Sequence, residues 1–349
     1  MNTDSPFHSA VVIGGGQSGL AAAWALRRRG LAPIVLEAGP EPVGSWPHYY
    51  DSLTLFSPAR YSSLPGMAFP GDPEHYPHRD EVVDYLRAYA KGLDAQILTA
   101  TRATGVHRTG DSFTVTTDDG GELPARRVIA ATGGFARPHR PALPGLDGFG
   151  GQVLHASDYR EPSPFAGQRI VVVGAGNSAI QIAVELADVA EVSLATRRPI
   201  NYVPQRPLGR DMHFWFTISG IDTAPVGPWL RRPPTAPVFD TGRYRAAITA
   251  ARPDRRPMFT RVDGHDVVWA DGSREHVDAV VLATGYLPDL DYLAPLGALD
   301  DTGHPRQRRG LSTTHPGLGF VGLEWQRSLS SASLRGVGRD ATYVAKRLP

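Results

Sequence analysis

Short apolar runs, each followed by glycines and then by a stretch of helical period, occur twice along this chain. Residues 10–13 are a β-branched-rich run that stops at Gly14, Gly15 and Gly16. Residues 18–29 then place apolar side chains at helical spacing and end at Gly30, where a C-cap glycine belongs. Residues 33–36 predict a second strand, which ends at Glu37. The same order returns at residues 169–173, passes Gly174 and Gly176, and continues through a helical stretch to Asp188 and a strand at 191–195.

Other segments have weaker patterns. Alternation between Thr99 and Asp118, as in Phe113, Val115 and Thr117, predicts a β-meander. Residues 199–260 show no clear period and many prolines, which predicts an extended insertion rather than a third domain. Inside it the run His213–Phe216 reads HFWF, a candidate to cover a site, touch a membrane surface or anchor the loop by packing. A closing helix is expected over residues 331–348, after a short strand at 319–321. The uncharged stretch 9–26 is long enough to suggest a membrane span, but it is broken by Gly14, Gly15, Gly16 and Gly19 and preceded by Asp4 rather than a basic leader. A strand, a turn and a helix account for it, and the expectation is a soluble cytoplasmic protein without a membrane span.

The length of 349 residues suits about two domains. Lys+Arg 36 against Asp+Glu 35 leaves no charge excess to attract nucleic acid, so no nucleic-acid partner is expected. The chain has 0 cysteines, which excludes a disulfide framework, a thiolate zinc site, a cysteine nucleophile and a redox dithiol together; no metal site is expected. Gly 38 and Pro 31 point to many tight turns.

Gly14, Gly16 and Gly19 fit GxGxxG between a strand and a helix, with Gln17 and Ser18 inside the motif. Such glycines permit a sharp turn, let backbone approach a pyrophosphate and let the helix pack on the strand, while the helix N-terminus faces the phosphates. Glu37 is placed to accept the ribose hydroxyls of an adenosine, so this site suits NAD or FAD. In the second unit, Gly174, Gly176 and Ala179 enclose Asn177 and Ser178. Glu37 stands 23 residues after Gly14, and at the same offset from Gly174 stands Arg197, followed by Arg198. Arginine there pairs with a 2′-phosphate that a carboxylate would repel, which predicts NADPH at this site. Two sites of opposite sign argue for a flavin plus NADPH on one polypeptide.

Two more apolar strands, at 126–131 and 278–282, run into ATGG (Ala131, Thr132, Gly133) and ATGY (Thr284, Gly285, Tyr286). Each resembles the crossing at which flavin disulfide-reductase-like chains pass between nucleotide domains. The expected architecture is α/β with two Rossmann-like dinucleotide-binding domains. A discontinuous FAD domain (1–163 and 284–349) would be interrupted by an NADPH domain (164–283) that carries the irregular insertion at 199–260.

Phe149, Gly151, His155, Tyr159, Arg160 and Pro164 match FxGxxxHxxx(Y/F)(K/R)xxx(P/D) just before the second glycine motif. With Gly44, Ser45 and Trp46, the following LTLFSPAR segment and ATGY, they make the chain resemble the flavin-containing monooxygenases, in particular the short bacterial members, over nearly its whole length. The resemblance implies that NADPH reduces FAD, that O2 adds to give a flavin C4a-hydroperoxide, and that a small-molecule sulfide or amine takes the distal oxygen. It also implies that Gly44, Ser45, Trp46 and Gly322 line the flavin, that His155 braces the linker between domains, and that a homodimer is possible.

Two departures stand out. Where relatives often have asparagine near the flavin, Ser57 is the nearest polar residue. Where many flavoproteins have Gly-Asp, Gly322 is followed by Leu323 and Glu324, with Gln326 or backbone amides as replacements. Ser57 and Gln326 are thus the only side chains singled out for the chemistry. A Baeyer–Villiger monooxygenase acting on ketones is disfavoured by Tyr159, where tryptophan is usual. A reductase or oxidase passing electrons to a quinone, a protein or O2 and a non-catalytic flavin sensor are the other readings.

Overall fold

The computed structural model describes residues 7–230 and 237–349; Asp4 and residues 231–236 of the expected insertion lie outside the described residues. Among the described residues six α-helices alternate with short strands: α1 (Gln17–Arg27), α2 (Arg79–Gly92), α3 (Asn177–Leu186), α4 (Met212–Ser219), α5 (Arg243–Thr249) and α6 (Leu334–Arg347). Strands that are apolar at every position cannot leave one face in water, and here they form the centres of two parallel sheets covered on both sides.

In the first sheet Ala10–Ile13 lies between Pro33–Leu36 and Val128–Ala130, all parallel, with Gln96–Leu98 and Leu318–Phe320 outside them. The two short strands Gln307–Arg308 and Leu311–Ser312 add an antiparallel edge. Leu20, Leu26, Val337 and Val344 of α1 and α6 cover one face. The other face packs on the antiparallel meander Ala103–Thr109, Ser112–Thr117 and Glu122–Ala125 through Val106, Phe113 and Val115.

The second sheet is parallel throughout, in the order Asp254–Pro257, Glu191–Thr196, Arg169–Val173, Ala279–Leu282, Gln152–His155. Ile180 and Ala183 of α3, with Tyr159 and Phe165, cover one face. Phe259, Val267 and Trp269 close the other.

Two expectations need correction. Gln152–His155 pairs with Ala279–Leu282, His155 opposite Leu282, so the chain enters the second sheet before residue 152 and not after 163. That strand is an edge with its first two residues exposed, and it has no apolar run to announce it. The region 199–260 is not irregular throughout. Tyr202–Pro204 pairs with Val238–Asp240, α4 and α5 lie within it, and Asp254–Pro257 forms the edge of the second sheet. The aromatic run sits on α4, whose N-terminus is capped by the Asp211 carboxylate accepting the His213 N–H. With aromatic residues on several sides, α4 has no polar face to reveal its period. Among the described residues no helix is long and apolar enough to cross a membrane.

Candidate active site

The first glycine turn brings three parts of the chain together. Gly14 has φ +104°, and a Cβ there would sit 2.8 Å from the Ala131 carbonyl oxygen, so only glycine closes this turn against the neighbouring strand. Gly19 lets α1 approach the Gly14 carbonyl. α1 starts with no side-chain cap and no acid in its first turn, which leaves its N–H groups free for an anion. Glu37 accepts the Gly15 N–H through Oε2 and the Gly39 N–H through Oε1, both at 2.7 Å. Its remaining lone pairs are available to hydroxyl donors. Gly44, at φ +61°, meets Gly16 backbone to backbone; a Cβ on it would stand 2.9 Å from the Gly16 Cα.

Gln17 ties this turn to its surroundings. Its Nε2 donates to the Ala332 carbonyl at 2.7 Å, and its Oε1 accepts the Trp46 Nε1–H at 3.1 Å. Ser18 packs beneath Gly322, and Thr132 donates to the Asp289 carbonyl at 3.1 Å. Ser45, Ala131, Gly133 and Gly322 complete this wall of the cavity.

The second turn repeats the uncapped helix start at α3. Asn177 donates to the Pro237 carbonyl at 3.0 Å and so holds the insertion against this end of the helix. Gly174, Gly176, Ser178 and Ala179 line the same cavity. Arg197 and Arg198 are exposed at its rim with no carboxylate partner among the described residues. Arg169, at the start of the central strand, is by contrast paired with Glu275 at 2.7 Å and Glu191 at 2.8 Å. Thr284 donates to the His139 carbonyl, whose own N–H donates to the Gly285 carbonyl at 2.9 Å. Tyr286 stands edge-on to His155 at 5.0 Å, and burial pushes its phenol up to about 12.

The residues of the linker motif act as braces. His155 is buried; its Nε2–H donates to the Gly285 carbonyl at 3.0 Å while Nδ1 accepts the Ser157 N–H at 3.1 Å. Burial holds its imidazole below the usual range, so it is neutral near pH 7. Tyr159 donates to Glu185 of α3 at 2.9 Å, and Arg160 donates to the Tyr49 carbonyl at 2.9 Å beside Trp46. The strand order and these bonds join the second sheet to the segment following Gly44.

Both turns open on one cavity of about 1930 Å³. A single small-ligand site measures roughly 300–1,000 Å³, so two dinucleotides and a substrate fit the space. Its further walls include Phe56, Ser57, Phe216, Phe239, Glu324, Trp325 and Arg335. Phe56 and Phe239 stack at 4.9 Å, and Arg335 pairs with buried Asp222 at 3.0 Å. Glu324 lines the cavity as an exposed residue, and the protein crowded around its carboxyl pushes it above the usual range.

Of the two side chains singled out for chemistry, Ser57 lines the cavity and Gln326 does not. Gln326 is buried, with Nε2 donating to the Phe320 carbonyl at 2.8 Å, so it braces the end of the Leu318–Phe320 strand instead of facing a ligand. Trp325 takes the cavity position, at φ +53°, a backbone conformation that costs about 1–2 kcal/mol for a non-glycine residue. The sequence held no signal for Trp325, Phe239 or Arg335; for Phe216 the signal was the aromatic run.

A family model for pyridine nucleotide-disulphide oxidoreductases matches residues 11–207. An uncharacterized CzcO-like oxidoreductase of Geobacillus kaustophilus is 34% identical over 340 residues, 96% of each chain. The indole-3-pyruvate monooxygenase YUCCA1 of Oryza sativa subsp. japonica is 30% identical, over 97% of this chain and 90% of its own. Among solved structures, a flavin-containing monooxygenase from Stenotrophomonas maltophilia superposes with a TM-score of 0.87 at 32% identity, covering 98% of both chains.

Proposed function

This chain belongs to the flavin-containing monooxygenases of the pyridine nucleotide-disulphide oxidoreductase family, and we propose that it binds FAD and NADPH and oxygenates sulfides or amines on small molecules. The observation that carries the reading is the shared cavity. It has two uncapped helix starts, a carboxylate fixed at one strand end and two free guanidinia at the other. FAD belongs at Gly14, Gly16 and Glu37, where a 2′-phosphate would meet the carboxylate. NADPH belongs at Gly174, Gly176, Arg197 and Arg198, where it meets arginine.

When bound, the flavin supplies hydride acceptance from NADPH and activation of O2. The chain's own residues bind, orient and exclude water. Trp46, tied to Gln17, fixes the segment after Gly44 on the flavin side. Tyr286 and His155 hold the ATGY crossing between the two sites. Phe56, Phe216, Phe239 and Trp325 present apolar surface that keeps water from the reacting centre and suits a soft, weakly hydrated nucleophile.

A reductase or oxidase outcome has one observation in its favour. Ser62 Oγ lies 2.9 Å from both the Pro58 carbonyl and Ser57 Oγ. The carbonyl is the better acceptor for the Ser62 proton, so the Ser57 hydroxyl donates to Ser62 and is withheld from the cavity. Turnover with NADPH and isotopically labelled O2 in the presence of a thioether or a tertiary amine separates the two. Label in a sulfoxide or N-oxide supports oxygenation; NADPH consumption with unlabelled substrate and peroxide release supports the reductase.

A further inference from the structure

The insertion carries an exposed apolar patch that the cavity does not use. Leu208 is 89% exposed, Ile218 60%, Ile221 54%, Val226 40% and Trp229 61%, all within one short stretch of chain. Monomeric surfaces rarely gather so many large apolar side chains, and such patches mark interaction sites. α4 divides its faces: His213 is buried and Phe216 lines the cavity, whereas half-buried Phe214 and exposed Ile218 stand four residues apart on another side, and exposed Ile221 follows just past the left-handed Gly220 that ends the helix. The patch is held firmly. Trp215 Nε1 donates to the Pro207 carbonyl at 3.1 Å beside Leu208, Asp222 pairs with Arg335, and the Gly227 N–H donates to the Arg327 carbonyl at 2.9 Å beside Val226.

Within residues 206–230 the exposed charges have one sign. The only acids between Arg206 and Leu230 are Asp211 and Asp222, and both are buried. Asp211 is taken by Tyr76 at 2.7 Å, Gln205 at 2.6 Å and His213 at 2.7 Å, and Asp222 by Arg335. The remaining charges are arginines: Arg210 lies over the Phe214 ring at 5.3 Å and Arg309 over the Trp229 ring at 5.1 Å. Alongside, Thr223 shares a shallow cavity of about 290 Å³ with Arg339, Tyr343, Lys346 and Arg347 of α6, and the one acid lining it, buried Asp340, is paired with Arg327 at 3.0 Å. Arg339, Lys346 and Arg347 have no carboxylate partner among the described residues.

A second copy of the chain is a poor occupant, because two-fold pairing would set this arginine-rimmed patch against itself. An anionic bilayer satisfies both features: aliphatic side chains enter the acyl boundary, tryptophan sits at headgroup level, and arginine and lysine meet lipid phosphates. We propose that the face formed by α4, the 220–229 turn and the basic side of α6 docks peripherally on an anionic lipid surface. Phe216 on the inner side of α4 then brings the cavity wall next to lipid.

The test is co-sedimentation of the full flavoprotein with vesicles of phosphatidylcholine alone or mixed with phosphatidylglycerol, at low and high salt. The expected result is binding to the anionic vesicles about tenfold tighter than to the neutral ones, weakening as salt rises. Ile218→Ser/Ile221→Ser, and separately Trp229→Ser, should each weaken that binding about tenfold while flavin content and thermal midpoint stay unchanged, since these side chains are exposed. Arg339→Ala/Lys346→Ala should remove most of the preference for anionic lipid. Failure to bind anionic vesicles at low salt, or equal binding by the serine variants and the parent, overturns the proposal. So does a dimer in light scattering that dissociates in Ile218→Ser/Ile221→Ser, which would assign the patch to a second copy.

Discussion

If the proposed NADPH site is right, replacing Arg197 and Arg198 by alanine should leave the chain indifferent to the nicotinamide donor. Neither guanidinium is committed to a carboxylate among the described residues, and both stand at the rim of the shared cavity at the end of the Glu191–Thr196 strand. A hydrogen bond to a charged partner contributes about 1.5–3 kcal/mol, and exposure with salt screening favours the lower value. The two together then supply about 3 kcal/mol, or about a hundredfold in kcat/KM. NADH has no 2′-phosphate to lose these contacts, so its kcat/KM should change by no more than about twofold. The assay is anaerobic flavin reduction by each donor, read as the ratio of the two kcat/KM values. The ratio should fall by about two orders of magnitude in the double variant, and by about one in each single. If both donors lose efficiency equally, the arginines support the fold or the pyrophosphate and the reasoning from strand-end charge fails; an unchanged ratio refutes it outright.

Three more outcomes are expected. Gly14→Ala drives a Cβ into the Ala131 carbonyl at a left-handed backbone position, so it should cost about 1–3 kcal/mol and strip the flavin, checked by absorbance of the purified protein and its thermal midpoint. Asp222→Ala leaves Arg335 without its partner and frees the 220–229 turn, at a cost of about 3 kcal/mol that denaturant unfolding would register. His155 and His213 are both held below the ordinary imidazole value of 6.5, chiefly by burial. The unfolded chain therefore takes up protons that the folded chain refuses as pH drops below about 6.5, and stability should be full above that value and decline beneath it. His155→Gln should flatten part of this decline in a series of thermal midpoints; a parent whose midpoint does not move between about pH 7.5 and 5.5 contradicts the assignment.

The two glycine turns were legible because everything they need is local: an apolar strand, glycines that no other residue replaces, and a charged residue at a fixed offset. Gly14 against Ala131, Glu37 against Gly15 and Arg197 at the rim all follow from that short-range pattern. The edge strand Gln152–His155 was not legible, since half of it faces water and its partner, Ala279–Leu282, is more than a hundred residues away. Gln326 was misread for a similar reason. Its composition suits ligand contact, but its direction is set by the Phe320 carbonyl, a bond formed only once the strand has joined the sheet. The aromatic wall of the cavity was the least visible part. Phe56, Phe216, Phe239 and Trp325 come from separate loops, and only tertiary packing, such as the stack of Phe56 on Phe239, brings them together.

The most direct measurement is a crystal structure of the chain grown with FAD and NADP+. The account predicts two dinucleotides in one cavity, with the FAD adenosine ribose on the Glu37 carboxylate and the 2′-phosphate between Arg197 and Arg198. A single dinucleotide spanning both turns, or the 2′-phosphate bound away from both arginines, would contradict it.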